Sequence, residues 1–489
     1  MNRKIKYFFT LLILSVFVAA CSDDADFSSD AGLHLQFSSD TVNFETLFTE
    51  APSSTASFLI YNRNSSSLRI SRVELGGGNL SPFRVNVDGQ YGNNISDVEV
   101  RKGDSIFVFV DVNLDRNNSD TPFLVRDSLV FTLESGIRQQ VQLLACGRDA
   151  VVLRSPTFAG DTALIDGAYI IYDSLVVTEG VTLTLPAGCE LYFHSKAWMK
   201  IDGTLLACGT KERPVLFRGD RTDNMFDYLP YDRVPGQWGG IYFGATSNGN
   251  VLDWCDIHSA GYGIYMEQGD TTLQRLIVTN SMMYNFSNNA FETNCARVDV
   301  SNSLIANAGG NCVKIVGGSA RFVHCTIANF YVWQQRDVAL ALHNTFEGAA
   351  APLREALFAN CIITGSRNDE IMGYLSDFND TIVGGANYRF VSSLLNTKAT
   401  DEDENFVNIV WDDKNNSPFG KEHFCLIDNS IYKYDFHIDS LSTARGIASK
   451  EYSSLFPLGL SGVQRPAENA DAGCFQFVEA EGGEVKTEM

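Results

Sequence analysis

The chain has 489 residues, of which 45% are hydrophobic and 20% charged. This composition is ordinary for a folded protein, and the length allows two domains with a sizeable core. The formal net charge is -22, which excludes nucleic acid and anionic membrane surfaces as electrostatic partners because such a surface repels phosphates. We therefore predict no nucleic-acid partner.

The first 20 residues are typical of a secretory signal peptide. Three basic residues lie within residues 1–6, an apolar run follows over residues 7–18, and Val18-Ala19-Ala20-Cys21 comes next. The apolar run is too short for a permanent membrane span. The tetrad resembles the lipobox of bacterial lipoproteins, which implies cleavage before Cys21 and attachment of lipid, such as palmitate, to that cysteine. An ordinary signal peptide with a coincidental cysteine is the alternative.

The next three residues, Ser22-Asp23-Asp24, resemble the acidic export signal of surface lipoproteins in Bacteroidota. That resemblance implies an outer-membrane protein, anchored by its N-terminal lipid and exposed on the cell surface. The membrane is then a partner through the lipid alone. Residues 21–32 are polar and acidic, which predicts a flexible tether between lipid and fold.

Residues 33–150 contain roughly seven short alternating segments separated by turn residues. This pattern predicts an immunoglobulin-like β-sandwich. Residues 58–62, 68–70 and 103–108 resemble the immunoglobulin-like modules that precede β-helices in surface lipoproteins, which implies a stalk or spacer.

The second part of the chain is organised around a repeated phrase. Ser281, Ser303 and Cys325 each open a copy 22 residues after the last, and looser copies begin at Cys255 and Cys361. Strand-forming residues repeated at this length, with no amphipathic helix between copies, predict a parallel β-helix. Each coil would be one rung, about 4.8 Å from the next. We assign residues 151–476 to this helix with its C-terminal cap, and residues 477–489 to a disordered tail.

Two regions carry a resemblance to the right-handed parallel β-helix, pectate-lyase-like domains of bacterial surface proteins. Residues 201–210 and 236–241 resemble the entry of such domains, and residues 459–466 and 471–475 resemble their closing phrase. The resemblance implies an all-β chain, in which the sandwich is followed by a right-handed, single-stranded β-solenoid.

Side chains alternate between the two faces of each rung. The residues that open each copy, and the Ile or Met two positions later, share the phase that we assign inward. Asn285, Asn307 and Asn329 then fall at the turn. Each amide can donate to the carbonyl of the next, and asparagine tolerates a left-handed backbone. We interpret the three as a structural ladder.

Many β-helix proteins are polysaccharide lyases or hydrolases, so catalytic residues would lie on the outward phase of the rungs. Asp256 and His258 are the best catalytic candidates, although one carboxylate and one imidazole do not form the carboxylate pair of a glycosidase. A solvated turn is the alternative. The chain has no His/Cys cluster at zinc-ligand spacing, so we predict no metal and no cofactor.

Arg275 and Arg297 each lie six residues before the serine of a copy and should stack on neighbouring rungs. Two close guanidinium groups need an acid or an anionic ligand between them. They are candidates for binding an anionic sugar, with a salt-bridged surface as the alternative.

Two insertions, residues 221–236 and 330–352, interrupt the repeat. Long loops on a rigid solenoid are frequent binding sites. The candidate ligand-binding aromatic residues are Phe226, Tyr228, Tyr231, Tyr331 and Trp333. Their rings can stack on a pyranose, or alternatively cover the flank of the helix against water.

These observations leave three function classes open. The leading hypothesis is a non-enzymatic lipoprotein for display or adhesion, which binds a glycan or a surface protein. The rivals are a lyase or hydrolase acting on acidic polysaccharide, and a structural accessory subunit of an outer-membrane assembly. The fold hosts all of these, so it does not decide among them.

Overall fold

The computed structural model describes residues 27–51, 53–118, 121–226, 228–376, 385–398 and 403–479. The predicted signal peptide, Cys21, half of the predicted tether and most of the predicted tail lie outside these residues. The end of the predicted tether is attached to the fold. Phe27 forms a β-bridge with Ser67, and the guanidinium of Arg69 lies 4.2 Å from the centre of its ring.

The chain divides into two compact units, the first ending at Asp149 and the second beginning at Ala150. The predicted boundary, between residues 150 and 151, lies one residue later. In the described part of the first unit, two five-stranded sheets enclose one hydrophobic core. This confirms the predicted immunoglobulin-like sandwich. In spatial order, one sheet contains Gln36–Phe37, Ala56–Tyr61, Ser105–Val112, Phe83–Val87 and Gln90–Tyr91; the other contains Thr41–Phe48, Arg138–Arg148, Phe123–Leu133, Leu68–Leu75 and Asn94–Val100.

The second unit is the predicted right-handed parallel β-helix, with two long sheets of parallel strands in its described residues. The 11-stranded sheet contains Val151–Arg154, Gly167–Tyr172, Cys189–Phe193, Val215–Gly219, Cys255–His258, Met282–Phe286, Leu304–Ala308, Thr326–Asn329, Ile362–Gly365, Leu394–Leu395 and Val410–Trp411. The 17-stranded sheet contains Thr157–Phe158, Thr162–Ala163, Ser174–Val177, Thr182–Pro186, Trp198–Ile201, Thr204–Cys208, Ile241–Phe243, Asn250–Asp253, Ile264–Met266, Leu276–Thr279, Phe291–Ser301, Val313–Val323, Leu340–His343, Leu353–Ala359, Ile371–Tyr374, Ala386–Val391 and Phe406–Val407.

Equivalent positions of successive rungs are stacked, and this stacking builds the core. Ile257 pairs with Met283, Met283 with Ile305, and Ile305 with Ile327. All four side chains are buried in one cluster, which confirms the inward phase. Burial of such a column removes apolar surface from water at every rung and stabilises the solenoid.

The turns use asparagine as predicted, but the amide bonds run along a different row. Asn285 and Asn307 have left-handed backbones, with φ of 62° and 56°. No amide-to-amide bond joins Asn285, Asn307 and Asn329 among the described side chains; Asn329 Oδ1, for example, accepts from the backbone N–H of Ala308 at 3.2 Å. The physical reason is that backbone donors of the turn lie within reach of these carbonyls.

The amide row lies at the turn that enters the 11-stranded sheet. Asn280 Nδ2 donates to Asp253 Oδ1 at 2.8 Å, and Asn302 Nδ2 donates to Asn280 Oδ1 at 2.7 Å. Asn280 and Asn302 also have left-handed backbones. The ladder is therefore built from the residue that precedes each serine of the repeat.

The outer face of the 11-stranded sheet changes character along the solenoid axis. From Leu304 onward its outward residues are largely apolar, and they form a second core with the C-terminal segment, residues 420–475. Among the residues described, the remaining two-stranded pairs are Asn224–Phe226 with Leu229–Pro230, Thr345–Phe346 with Ala349–Ala350, and Phe424–Asp428 with Lys433–Ile438. The short helices there are Gly78–Leu80, Tyr231–Arg233, Gly420–His423 and Lys450–Ser453. None of the helices found in these ranges has the length and apolar character to cross a membrane.

Candidate functional site

A cleft of about 510 Å³ opens where the polar rungs of the 11-stranded sheet meet the C-terminal segment. Leu216 pairs with Asp256 and His258 pairs with Tyr284 on neighbouring rungs, so the register also brings Arg218 into line with His258. These residues face outward, and their side chains form the floor of the cleft.

The first insertion supplies one wall. Pro230 and the short helix Tyr231–Arg233 place Asp232 over this floor. Asp232 Oδ1 lies 2.5 Å from Arg218 Nη1 and 2.9 Å from His258 Nε2. Ser259 donates its hydroxyl to the Asp232 carbonyl at 2.6 Å, which fixes the loop to the rung beneath it.

His258 is held between two carboxylates. Its Nδ1 lies 3.0 Å from Asp256 Oδ1, while its Nε2 faces Asp232. The ring stacks on Tyr284 with 4.8 Å between centroids, and only 3% of the side chain is exposed. Both ring nitrogens are therefore committed to acceptors, as in an imidazolium.

The electrostatics agree with this geometry. Burial opposes the charged form of His258, but the Asp256 and Asp232 carboxylates outweigh it and raise the pKa of His258 to about 9. Burial also opposes ionisation of Asp232. The hydrogen bond from His258 and the positive charges of His258, Arg218 and Arg233 prevail, and they hold the pKa of Asp232 well below its usual range. At neutral pH the pair is ionised, and neither group is poised to exchange a proton.

The C-terminal segment supplies the opposite wall through the strand Lys433–Ile438 and the turn before it. Tyr432, Tyr434 and Phe436 line this side of the cleft. The second insertion supports it, because the Trp333 indole stacks on Tyr432 with 4.4 Å between ring centroids. Arg233 Nη1 also donates to the Ile431 carbonyl at 3.3 Å, which joins the two walls.

The cleft has a positive lining in a chain of net charge -22. Arg218, Arg233, Lys433 and the His258 imidazolium line it, against the two carboxylates of Asp232 and Asp256. Lys433 makes no ion pair with any other described residue. The cleft thus combines aromatic rings with a cationic excess, a pairing suited to a ring-shaped ligand that carries negative charge.

The predicted aromatic residues take different places. Phe226 and Tyr228 are 55% and 52% exposed and stack on each other at 5.8 Å, away from the residues that line the cleft. Tyr231 lies under the Arg221 guanidinium, 3.9 Å from its ring centre. Trp333 supports the cleft wall through Tyr432.

Tyr331 does not form the ligand platform for which the sequence made it a candidate. It is buried, and burial raises the pKa of its hydroxyl to about 12. The insertion turns inward at this residue because the neighbouring Phe330 packs into the core beneath the C-terminal segment, against Phe424 and Phe436.

The prediction that Arg275 and Arg297 form an anionic-sugar site is wrong. The two lie on neighbouring rungs, and the Arg275 N–H donates to the Arg297 carbonyl at 3.0 Å. The Arg275 side chain, however, is buried and donates to the carbonyls of Ser247, Glu267 and Gly244 at 2.9, 2.5 and 2.5 Å. The Arg297 side chain points to solvent. A guanidinium with five donors satisfies several turn carbonyls at once. The Arg275 side chain is therefore held inside the turn, while the Arg297 side chain is exposed.

Sequence reasoning paired Asp256 with His258 correctly but did not place Asp232, Arg218 or the strand Lys433–Ile438 beside them. The strand could have been found: residues 424–438 alternate around Asp428-Asn429-Ser430, a pattern typical of a hairpin. Within the ranges the structure describes, no group of three or more His, Cys, Asp or Glu side chains is arranged to hold a metal ion.

Comparisons with known proteins supply no function. No protein-family profile and no curated protein matches the chain. A family 123 glycoside hydrolase from Clostridium perfringens aligns at 11% identity over 25% of this chain and 30% of its own, with a TM-score of 0.19. The VesB protease of Vibrio cholerae aligns at 16% identity over 23% and 31%, and PapD-like domain 7 of human CEP192 at 9% over 27% and 95%, both with a TM-score of 0.17. The chain therefore spans about a third of the first two structures, and similarities this small carry no argument about activity.

Proposed function

We propose that this protein is a lipid-anchored cell-surface protein that binds an acidic glycan in the cleft between the loop at Asp232 and the strand Lys433–Ile438, without chemical conversion. The observation that carries the proposal is the cationic, aromatic-lined cleft in a strongly acidic chain. A uronic acid residue offers an apolar ring face to Tyr432 or Tyr434 and a carboxylate to Lys433 or Arg233.

The state of His258 favours binding over catalysis. A glycosidase needs a carboxylic acid that can give up a proton and a second carboxylate that acts as base or nucleophile. A lyase needs a base near the sugar ring. His258 spends both nitrogens on Asp232 and Asp256, and Asp232 is held ionised by Arg218 and His258. The carboxylates therefore hold and neutralise Arg218 and His258, and the positive excess of the cleft comes from Arg233 and Lys433.

Lys433 makes no ion pair or side-chain hydrogen bond with any described residue, and its charge acts over a longer distance on Asp435. Arg218 is paired with Asp232, and Arg233 spends one N–H on the Ile431 carbonyl. Lys433, half-buried at the cleft wall, retains its three donors within the described part of the chain. A carboxylate that meets it there gains a charge-assisted hydrogen bond in partly desolvated surroundings.

The surface location in this proposal rests on the residues around Cys21. Acylation at that position would attach the protein to the outer membrane, and the sandwich would act as a stalk or spacer. A receptor for environmental or neighbouring-cell polysaccharide needs this kind of display.

The test is calorimetric titration of the chain from Ser22, which retains every described residue, with oligogalacturonides and with neutral galacto-oligosaccharides. We expect the acidic series to bind, and Lys433→Ala to weaken binding by about tenfold, since a hydrogen bond to a charged group contributes about 1.5 to 3 kcal/mol. Lys421→Ala removes an exposed lysine elsewhere on the same segment and serves as the matched control.

Two results would overturn the proposal. One is the absence of binding to any acidic oligosaccharide, or binding that Lys433→Ala and Arg233→Ala leave unchanged. The other is release of unsaturated or shortened sugars during the titration, which would make the protein a lyase or a hydrolase.

A further inference from the structure

A second group of aromatic side chains lies on the outer face of the 17-stranded sheet. Trp198, Tyr242 and Tyr265 belong to successive rungs, and Tyr262 lies in the turn before Ile264–Met266. The Tyr242 ring lies 5.8 Å from Trp198, 5.8 Å from Tyr265 and 6.1 Å from Tyr262, measured between centroids. All four rings are half-buried.

A depression of about 700 Å³ lies beside Tyr242, and Tyr262 and Tyr265 contact Tyr242 without lining the depression themselves. Trp198 and Tyr242 line it, and Trp238, buried and stacked on Phe193 at 4.2 Å, closes its floor. The rings meet at angles of 48° to 82°, which forms a cradle instead of a flat stack. Lys196 and Glu267 stand at its rim with exposed side chains.

The folding of the rungs does not require aromatic residues at these outward positions. The register that aligns Tyr242 with Tyr265 continues through Glu292, Lys314 and Ala341, so the same column accepts charged and small side chains. Stacking of the rungs therefore does not account for four half-buried aromatic rings grouped on one stretch of this face, and rings with one apolar side and one wet edge are suited to binding a ligand.

The charges around the rings are largely balanced. Lys200 pairs with Asp202 at 3.3 Å, and Lys314 pairs with Glu292 at 2.9 Å. At the rim, one lysine faces one glutamate. This balance contrasts with the positive cleft on the 11-stranded sheet, and it favours a ligand that is bound through ring faces and hydroxyl groups.

We propose that the cradle of Trp198, Tyr242, Tyr262 and Tyr265 is a second saccharide-binding site, which takes the pyranose rings of a neutral glycan. The C–H faces of the sugar lie on the tilted rings, and its hydroxyl groups bond Lys196, Glu267 and the phenol groups. The site is separate from the cleft, since Trp238 lies between them, with its indole N–H donating to the His258 carbonyl at 2.9 Å. It does not depend on the acidic-glycan site being correct.

The test uses the chain from Ser22 and three neutral probes: cellohexaose, xylohexaose and mannohexaose. Binding is followed by calorimetry and by the change in tryptophan fluorescence. We expect at least one probe to bind, and Trp198→Ala and Tyr242→Ala each to weaken it tenfold or more. Tyr228→Ala, which removes an exposed ring elsewhere on the unit, should leave the affinity unchanged, and so should Lys433→Ala.

Trp198→Phe keeps a ring at the site and guards against a folding defect, because it should retain most of the affinity that the alanine variant loses. No binding of any probe, or affinity that Trp198→Ala and Tyr242→Ala leave unchanged, would overturn the inference. Loss of neutral-sugar binding in Lys433→Ala alone would assign the sugar to the cleft instead. Oligogalacturonide titrations of the same variants report on the cleft independently.

Discussion

Nε2 of His258 lies 2.9 Å from Oδ1 of Asp232, although the two residues are 26 positions apart in the chain. The contact joins a rung of the solenoid to the loop that departs from the preceding rung. Together with the bond from His258 Nδ1 to Asp256, it turns a titratable side chain into a permanent cation within the ordinary pH range.

The protonated state of His258 should make stability depend on pH in the alkaline range. Its pKa is raised from 6.5 to about 9, so its contribution is complete below about pH 6.5 and is lost as the pH rises towards 9. The difference in unfolding free energy between the native chain and His258→Asn should shrink by about 3 kcal/mol over that interval. Urea unfolding at several pH values measures it. A constant difference would show that His258 is neutral in the fold.

Asp232→Asn should lower the pKa of His258. The carboxylate contributes both a hydrogen bond and a favourable charge to the imidazolium, and the amide retains only the first. NMR titration of the imidazole protons should show a downward shift of roughly one pKa unit or more. Asp223→Asn, in the same insertion but paired with Arg221, is the control and should leave the His258 titration where it was.

The acid range should be governed in part by His324. This imidazole is buried; burial first, and then the charge of Arg465, lowers its pKa to about 3. The group is neutral in the fold but takes up a proton at its ordinary value of 6.5 once unfolded, so stability falls as the pH drops from about 6.5 towards 3.

His324→Gln should remove that part of the loss, which is roughly 5 kcal/mol over the full interval, and flatten the acid limb of the stability curve relative to the native chain. Chemical unfolding between about pH 7 and pH 4 measures the slope. Parallel curves for the two chains would contradict a neutral, buried His324. The titrating carboxylates affect the stability of both chains equally, so their contribution cancels in the comparison.

Arg275 and Arg297 offer a matched pair, since the same residue type lies on neighbouring rungs with opposite exposure. Arg275→Met should destabilise the protein by about 3 to 5 kcal/mol, because two buried carbonyls and one part-buried carbonyl lose their donor. Arg297→Met should change the unfolding free energy by less than about 0.5 kcal/mol. Thermal unfolding of the two variants decides the matter; equal effects would refute the structural role of Arg275.

The sequence was sufficient to predict the solenoid because the pattern that indicates it is periodic. Ile257, Met283, Ile305 and Ile327 recur at strand positions, and each must be inward if any one is. The amide ladder could be predicted in kind but not in place. The repeat contains an asparagine at each of two turns, such as Asn302 and Asn307. The amide ladder forms at the turn whose backbone N–H groups do not reach the asparagine side-chain carbonyls.

Only part of the candidate site could be predicted from the sequence, for a related reason. Asp256 and His258 share one strand, so alternation alone puts them on one face. Asp232 and Lys433 come from segments outside the repeat, and their approach depends on packing among Ser259, Trp333 and Tyr432. No spacing rule relates positions that are joined only by loops of individual shape.

The C-terminal segment forms hydrogen bonds to rungs that lie far before it in the sequence. Arg465 Nη2 donates to Asn302 Oδ1 at 2.7 Å across 163 positions, and the Cys474 N–H donates to Thr326 Oγ1 at 3.2 Å across 148. Contacts of this separation form late in folding. During synthesis, rungs from Leu304 onward would present an uncovered apolar face, which invites association with other chains. The cleft is then the last feature of this unit to take shape, and its formation reports that the entire solenoid has folded.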